Sequence, residues 1–371
     1  QVKRSEPDIV MTIPPMPAPI EVTGVEFVEF AANEEEAREL ASLLHTLGFR
    51  QTGKHKTKQV ARYSQGGINL VINTEREGFA HSSYAVHGTS AYALGLKVAD
   101  AHATVARARA LGAEPFEQAV GPSELGMPAI RGVGGGVLYF VDDKSELKNI
   151  WSIEFDPVAD EAAGEDAGLL QFDHVAQTMN FDEMLTWLLF YTSILKTRKT
   201  PMVDIIDPAG IVRSQVVEND TGALRITMNG AENRRTLAGH FLAEKFGSSI
   251  QHLAFRTDNI FATAEALQAN GFVPLQISPN YYDDIEARFG LDPDFSDSLK
   301  DANILYDRDD NGEYFQLYSP NYGEGFFFEI VERKGYKGYG APNAIFRIAA
   351  QRKHLLPAER QAMWNDPHDT T

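Results

Sequence analysis

The chain has 371 residues, of which 43% are hydrophobic and 23% charged, so it is long enough to bury the cores of two globular domains. Its formal net charge of −18 disfavours binding to nucleic acid and to anionic membranes, and we expect neither as a partner. Cysteine is absent, which excludes disulfides, thiolate ligands and a cysteine nucleophile, and no apolar stretch approaches the roughly 20 residues of a membrane-spanning helix. We therefore expect a soluble, cytoplasmic protein.

The chain opens with a proline-rich segment, residues 1–21, which favours an extended conformation and has no core of its own. We interpret this segment as a linker. Because the chain begins with Gln1 rather than Met, a processed terminus and a connection to a further domain upstream both fit.

After the linker, the pattern predicts a strand, an amphipathic helix and hairpin-like strands, and this order recurs four times. The first strands of the four units are predicted at residues 25–30, 93–100, 174–177 and 251–258. We expect an α+β fold of four βαβββ units that pair into two open half-barrels, with a helix near the C-terminus. An open half-barrel of this kind encloses a pocket.

An acidic, Gly/Ala-rich segment without apolar periodicity separates the second and third units. It predicts an N-terminal structural domain, a linker, a C-terminal metal-binding domain and a tail, with bounds 22–158, 159–170, 171–357 and 358–371.

Three residues with metal-binding side chains, His174, His252 and Glu329, lie within apolar strand patterns of the second half. Either histidine alone is more often a hydrogen-bonded core residue, but an ionised carboxylate among apolar neighbours needs a partner or a cation. Two imidazoles and one carboxylate form the facial triad that holds non-haem Fe(II) and leaves positions open for dioxygen. We predict all three as metal ligands and catalytic residues, at a site that also accepts Mg, Mn, Co or Zn.

Aligning the two halves places Glu26 against His174 and Leu94 against His252. On this alignment the first half has no histidine at either of the two metal-binding positions, so we expect it to serve as a scaffold.

With these ligands in this order and spacing, the chain from about residue 22 to 352 resembles the 4-hydroxyphenylpyruvate dioxygenase family of the vicinal-oxygen-chelate superfamily. The first-half segments 65–70 (QGGINL) and 121–125 (GPSEL) also agree with that family. The resemblance implies vicinal-oxygen-chelate modules in a homo-oligomer, with Fe(II) bound by the three predicted ligands. It also implies that an aryl α-keto acid and O2 react by oxidative decarboxylation and hydroxylation.

The resemblance implies further residues that bind the substrate, and their side chains are polar or phenolic. They are Ser214, Asn229, Gln251, Gln316, Tyr318 and Tyr339. Hydrogen bonding within a sheet explains Ser214 equally well. The two tyrosines stand where the family pattern has phenylalanine, so the predicted pocket is more polar than the family pattern.

The C-terminal segment 338–351 looks more like the dioxygenase-like half of bacterial two-domain 3-dehydroshikimate dehydratases, in which a sugar-isomerase-like barrel lies upstream. Two main functions therefore remain open. The first is an Fe(II) dioxygenase, and the second is a metal-binding partner domain of such a dehydratase, with the barrel absent from this chain. A superfamily module that binds a small molecule without turnover is a third alternative. By analogy with the family, the helix at 344–354 would cover the pocket.

Overall fold

A computed structural model of the chain describes residues 15–355 and 357. The predicted tail and residues 1–14 of the predicted linker lie outside the described residues. The rest of the predicted linker packs against the body, because Ile20 forms a parallel bridge with Leu195 and the Arg107 guanidinium donates to the Pro17 carbonyl. Within the described part of the chain, none of the helices combines the length and the apolar character that crossing a membrane requires.

The first half forms an eight-stranded mixed sheet in the order β6-β7-β5-β1-β4-β3-β2-β8. Its strands are β1 Val22–Ala31, β2 Arg50–His55, β3 Val60–Gln65, β4 Ile68–Asn73, β5 Ser90–Val98, β6 Ala129–Arg131, β7 Val137–Val141 and β8 Phe155–Pro157. The central strand β1 pairs antiparallel with β5 and parallel with β4.

The second half forms a nine-stranded sheet in the order β10-β12-β13-β9-β14-β17-β16-β15, with β11 paired to β12. Its strands are β9 Leu169–Asn180, β10 Arg198–Lys199, β11 Val203–Asp207, β12 Gly210–Glu218, β13 Arg225–Ala231, β14 Ser249–Thr257, β15 Leu305–Asp309, β16 Gly312–Tyr318 and β17 Phe327–Lys334. Here β9 takes the place of β1, pairing antiparallel with β14 and parallel with β13.

Four helices follow the first strands of the repeated units, and several begin at a polar N-cap. Asn33 and Asp100, for example, each accept a hydrogen bond from a backbone N–H of the first turn. The helices of the chain are α1 Glu34–Thr46, α2 Gly78–His87, α3 Ala101–Ala110, α4 Ile150–Glu154, α5 Met184–Ile194, α6 Leu237–Glu244, α7 Ile260–Ala269, α8 Asn280–Phe289, α9 Pro293–Asp301 and α10 Ala344–Lys353. The predicted α+β fold of repeated units with a C-terminal helix is confirmed.

The two halves share their strand irregularities as well as their strand order. The antiparallel pairs β1–β5 and β9–β14 each carry three register shifts. When Val28 is set against Val175, all three shifts fall at matching positions in the two halves. The central strands of the two halves therefore correspond residue by residue, bulges included.

This correspondence of registers shows that the predicted alignment, which set Glu26 and Leu94 against the two histidines, is wrong by one residue in each strand. A shift of one residue in a strand turns each side chain to the opposite face, so the correction decides which residues face the pocket. The residues that stand in place of the metal-binding set are Phe27 for His174, Ala93 for His252 and Tyr139 for Glu329.

An aromatic layer joins the two sheets. The ring of Phe30 lies 5.4 Å from that of Phe326, and the ring of Phe49 lies 5.3 Å from that of Phe255, which in turn stacks on Phe328. All five side chains are buried. Edge-to-face and offset contacts between rings of this kind add to the burial of their apolar area.

Candidate metal centre

Three neighbouring strands bring the predicted ligands together. Ala254 on β14 pairs with His174 on β9 on one side and with Glu329 on β17 on the other, and His252 lies two residues before Ala254 on the same face. The register of the sheet therefore points all three side chains into the second half-barrel, although they lie far apart in the sequence.

The donor atoms of these residues form a nearly equilateral triangle. His174 Nε2 lies 3.2 Å from His252 Nε2 and 3.1 Å from Glu329 Oε2, and His252 Nε2 lies 3.2 Å from that same oxygen. Ligands at right angles on an ion, each bonded at about 2.1–2.2 Å, lie about 3.0–3.1 Å apart. The arrangement thus fits one divalent ion bound by all three donor atoms. All three side chains are buried.

Asp173 fixes the orientation of the first histidine. Its Oδ1 lies 2.7 Å from His174 Nδ1, so it holds the proton on that nitrogen and leaves Nε2 free to bind a metal. Neighbouring residues of a regular strand face opposite ways, but a register shift in β9–β14 falls at Asp173 and lets its carboxylate reach the imidazole.

Arg333 holds Asp173 in turn. Its Nε and Nη2 donate to the two carboxylate oxygens at 2.7 Å and 2.9 Å. Burial alone would raise the pKa of Asp173, but the Arg333 guanidinium and the His174 imidazole hold this pKa far below its usual range. Asp173 is therefore ionised at every physiological pH.

The charges of the ligands also suit a cation. Burial tends to raise the pKa of Glu329, yet the two imidazoles lower it well below the ordinary value, so the carboxylate is ionised. Burial lowers the pKa of His252 to about 4, which keeps this imidazole neutral at pH 7. Burial also acts to lower the pKa of His174, but Glu329 and Asp173 raise it. A proton on the His174 imidazole, or a cation bound in place of that proton, therefore balances the negative charge of the buried carboxylates Glu329 and Asp173.

Gln316 and the two predicted tyrosines surround the triad. Gln316 Nε2 donates to Glu329 Oε1 at 3.0 Å and to the Tyr318 hydroxyl at 2.8 Å. The ring of Tyr339 meets His174 edge-on at 5.4 Å, while its hydroxyl donates to Glu218 Oε2 at 3.0 Å. Gln316 thereby occupies one oxygen of Glu329 and leaves the other to face the histidines.

The remaining predicted residues form a polar row across four strands. Ser214 pairs with Asn229, which pairs with Thr178, and the Thr178 hydroxyl donates to Gln251 Oε1 at 3.0 Å. Cross-strand pairs share a face, and Thr178 lies four residues after His174, so this row lines the same concave face as the metal triad. The structure thus brings all nine predicted site residues to one half-barrel.

Several buried polar atoms on this face have no hydrogen-bond partner within the described residues. They are Asn229 Oδ1, Thr227 Oγ1 and His252 Nδ1. A buried polar group without a partner costs roughly 1–3 kcal/mol, so these atoms mark places where a ligand or ordered water completes the site.

The sequence analysis did not predict four residues that organise the centre. Besides Asp173 and Arg333, Glu218 accepts from Tyr339, and Asn343, at the start of α10, donates to Gln316 Oε1 at 2.8 Å. Only Asp173 carried a signal in the sequence, as an acidic residue directly before a histidine within an apolar strand.

Two family models together match most of the chain. The family model for the N-terminal part of hydroxyphenylpyruvate dioxygenase matches residues 16–156, and the model of the glyoxalase, bleomycin resistance protein and dioxygenase superfamily matches residues 171–316. The 4-hydroxyphenylpyruvate dioxygenase of Pseudomonas aeruginosa is 31% identical over 329 residues, which cover 88% of this chain and 92% of that protein. The chain belongs to the 4-hydroxyphenylpyruvate dioxygenase family.

The chain also matches longer proteins. The 3-dehydroshikimate dehydratase of Pseudomonas putida is 38% identical over 358 residues, which make up 96% of this chain but 56% of the dehydratase. A solved structure described as a xylose isomerase-like TIM barrel/4-hydroxyphenylpyruvate dioxygenase fusion protein matches with a TM-score of 0.80 and 38% identity, covering 91% of this chain and 54% of that one. The chain therefore spans about half the length of these two relatives.

Proposed function

We propose that this chain is a mononuclear Fe(II) dioxygenase that acts on an aryl α-keto acid with O2. The observation that carries the proposal is the triangle of donor atoms, two imidazole nitrogens and one carboxylate oxygen at 3.1–3.2 Å from one another. Three protein ligands leave further positions on an octahedral ion for a chelating keto acid and for dioxygen. Bound Fe(II) would supply the redox chemistry and the point at which the keto acid is held.

The residues around the triad supply orientation. Asp173 keeps the Nδ1 proton on His174, and Gln316 keeps Glu329 in one rotamer by donating to Oε1. The row that contains Ser214 and Asn229 offers hydrogen-bond partners for a polar substituent on the far side of the substrate. In this assignment the protein holds the metal and the substrate in place.

The contacts of helix α10 support a role for this helix in excluding water from the site. Its Arg347 lies with its guanidinium 5.2 Å from the centre of the Phe327 ring and 5.8 Å from that of Tyr318, and both rings belong to strands that carry site residues. Asn343, at the start of the helix, donates to Gln316. A helix attached in this way would close the pocket mouth and protect the oxidising centre from solvent.

A second function is supported by the length comparison. Since the chain covers 56% of the Pseudomonas putida dehydratase at 38% identity, we also consider it the metal-binding partner domain of a two-domain 3-dehydroshikimate dehydratase. Reading the coding sequence upstream of Gln1 tests this candidate. An in-frame barrel domain there would favour it, and a start codon close to Gln1 without a barrel would remove it.

The dioxygenase proposal is tested by loading the protein with Fe(II) under anaerobic conditions and measuring O2 uptake and homogentisate formation with 4-hydroxyphenylpyruvate and ascorbate. Glu329→Gln is expected to lose both the metal and the O2 uptake. Glu332→Gln is a matched control, because Glu332 is a buried carboxylate three residues further along the same strand. Bound Fe(II) without O2 uptake for any aryl α-keto acid would refute the dioxygenase assignment.

A further inference from the structure

The first half-barrel also encloses a cavity, with a volume of about 440 Å³. Phe27 and Tyr139, which stand in place of His174 and Glu329, both line it. Asn73 lines it too, and the strand registers place Asn73 where the second half has Asn229. The cavity therefore corresponds to the candidate metal pocket, with two of the three ligands replaced by aromatic rings and the third, His252, by Ala93.

Glu29 places a carboxylate in the wall of this cavity. One of its oxygens, Oε2, accepts a hydrogen bond from Asn73 Nδ2 at 3.3 Å, while Oε1 has no hydrogen-bond partner within the described residues. The side chain is partly accessible, and it lines the cavity. Desolvation raises the pKa of Glu29 to about 7, an effect that a cation beside it would offset.

The cations near Glu29 already have partners. Lys58 Nζ lies 2.9 Å from Glu124 Oε1. His55 Nδ1 accepts hydrogen bonds from two backbone N–H groups, so its proton is on Nε2, which lies 3.6 Å from Glu154 Oε2.

The charged residues that line the cavity are mostly acidic. The lining contains four glutamates and one lysine, and the glutamates are Glu29, Glu75, Glu77 and Glu154. An anionic ligand would therefore meet unfavourable charge from the mouth inwards, whereas a cation would gain a buried carboxylate as its partner.

Aromatic rings form part of the cavity wall. Trp151 meets Phe27 edge-on at 5.8 Å and Phe155 at 5.4 Å, and Phe27 lies 5.9 Å from Tyr139. Ring faces attract ammonium groups, and cages of rings with a carboxylate are a common way to bind organic cations. The volume lies within the range of sites that enclose small molecules.

We propose that the cavity of the N-terminal half-barrel binds a small organic cation, an ammonium group attached to a compact apolar body, with Glu29 as its counter-ion. The site is separate from the candidate metal centre and uses no metal. The expected scaffold half would then carry a binding function of its own, whatever the substrate of the other half.

The test is calorimetric titration of the whole chain at pH 8 with 2-phenylethylamine, and in parallel with neutral 2-phenylethanol and anionic phenylacetate. We expect saturable binding of the amine, with an affinity at least tenfold higher than that of 2-phenylethanol or phenylacetate. This comparison needs no variant, so it does not depend on the folding of one. Failure of the amine to saturate, or equal or tighter binding of phenylacetate, would overturn the proposal.

Two variants locate the site. Glu29→Gln, which keeps the size of the side chain, is expected to lower the affinity for the amine at least tenfold. Glu34→Gln removes an equal charge at the protein surface and is expected to leave the affinity unchanged. Binding of Co(II), measured by its visible spectrum, should be the same in both variants, so failure here is distinguishable from failure of the metal-centre proposal. Amine binding that survives Glu29→Gln at full affinity would refute the site.

Discussion

Replacing Asp173 by asparagine separates the orienting role of this residue from the metal ligands themselves. Asp173→Asn removes a charge that accepts two hydrogen bonds from Arg333 at 2.7 Å and 2.9 Å and one from His174 at 2.7 Å. Breaking one partner of a buried ion pair costs about 3–5 kcal/mol, and loss of a residue that orients a metal-binding histidine lowers affinity about 10–100-fold. We expect both effects, because the asparagine amide would direct N–H groups toward the Arg333 guanidinium.

The assay is anaerobic titration of metal-free protein with Fe(II), together with urea unfolding followed by circular dichroism. Asp160→Asn is the matched control, since Asp160 also holds a histidine, His45 at 2.8 Å, but lies outside the centre. It is expected to leave Fe(II) affinity unchanged. If Asp173→Asn bound Fe(II) within twofold of the parent, or if both variants weakened it equally, the orienting role would be refuted.

Three further substitutions probe separate features. Gln316→Leu removes the donor to Glu329 Oε1 and should weaken Fe(II) binding about tenfold in the same titration; unchanged affinity would contradict this. Gly95→Ala directs a methyl group into the Phe27 ring and should destabilise the fold by about 1–3 kcal/mol in urea, whereas an unchanged midpoint would argue against close packing there. Because folding raises the pKa of Glu29 from 4.5 to about 7, the free energy of unfolding should fall by up to about 3 kcal/mol as the pH rises through that interval. Glu29→Gln should abolish this fall. An unaltered pH profile in the variant would exclude Glu29 as its source.

The metal triad was predictable because each of its members interrupts an apolar run in which a polar residue is costly. His174, His252 and Glu329 stand out for that reason, and strand alternation then gives their common direction. The repeated order of strand and helix was predictable from the alternation of apolar residues in strands and their 3.6-residue period in helices.

The alignment of the halves could not be read at single-residue precision. Strand β5 is buried on both faces along nearly its whole length, so its sequence has no alternation to fix the register. The bulges that do fix it leave little trace in the sequence. Asp173 illustrates the same limit, since in a regular strand its side chain would face away from His174.

The sequence analysis also missed several short elements of the fold. Helices α2 and α6 are short and rich in small and aromatic residues, without a clear apolar stripe. Helix α9 had a readable start, with Asp292 as its N-cap followed by proline. The sequence analysis did not single out His55, which ends β2 where this strand pairs with β8 and is buried beside Glu124 and Glu154.

The aromatic layer between the sheets bears on how the chain can be divided. Cutting it within residues 158–168, where no strand or helix runs, would leave Phe30 and Phe49 on one fragment and Phe255, Phe326 and Phe328 on the other. Each fragment would then expose a large hydrophobic surface to water, and such surfaces promote aggregation. We expect the halves to be insoluble when expressed separately and to regain solubility when co-expressed, as partners that fold on each other.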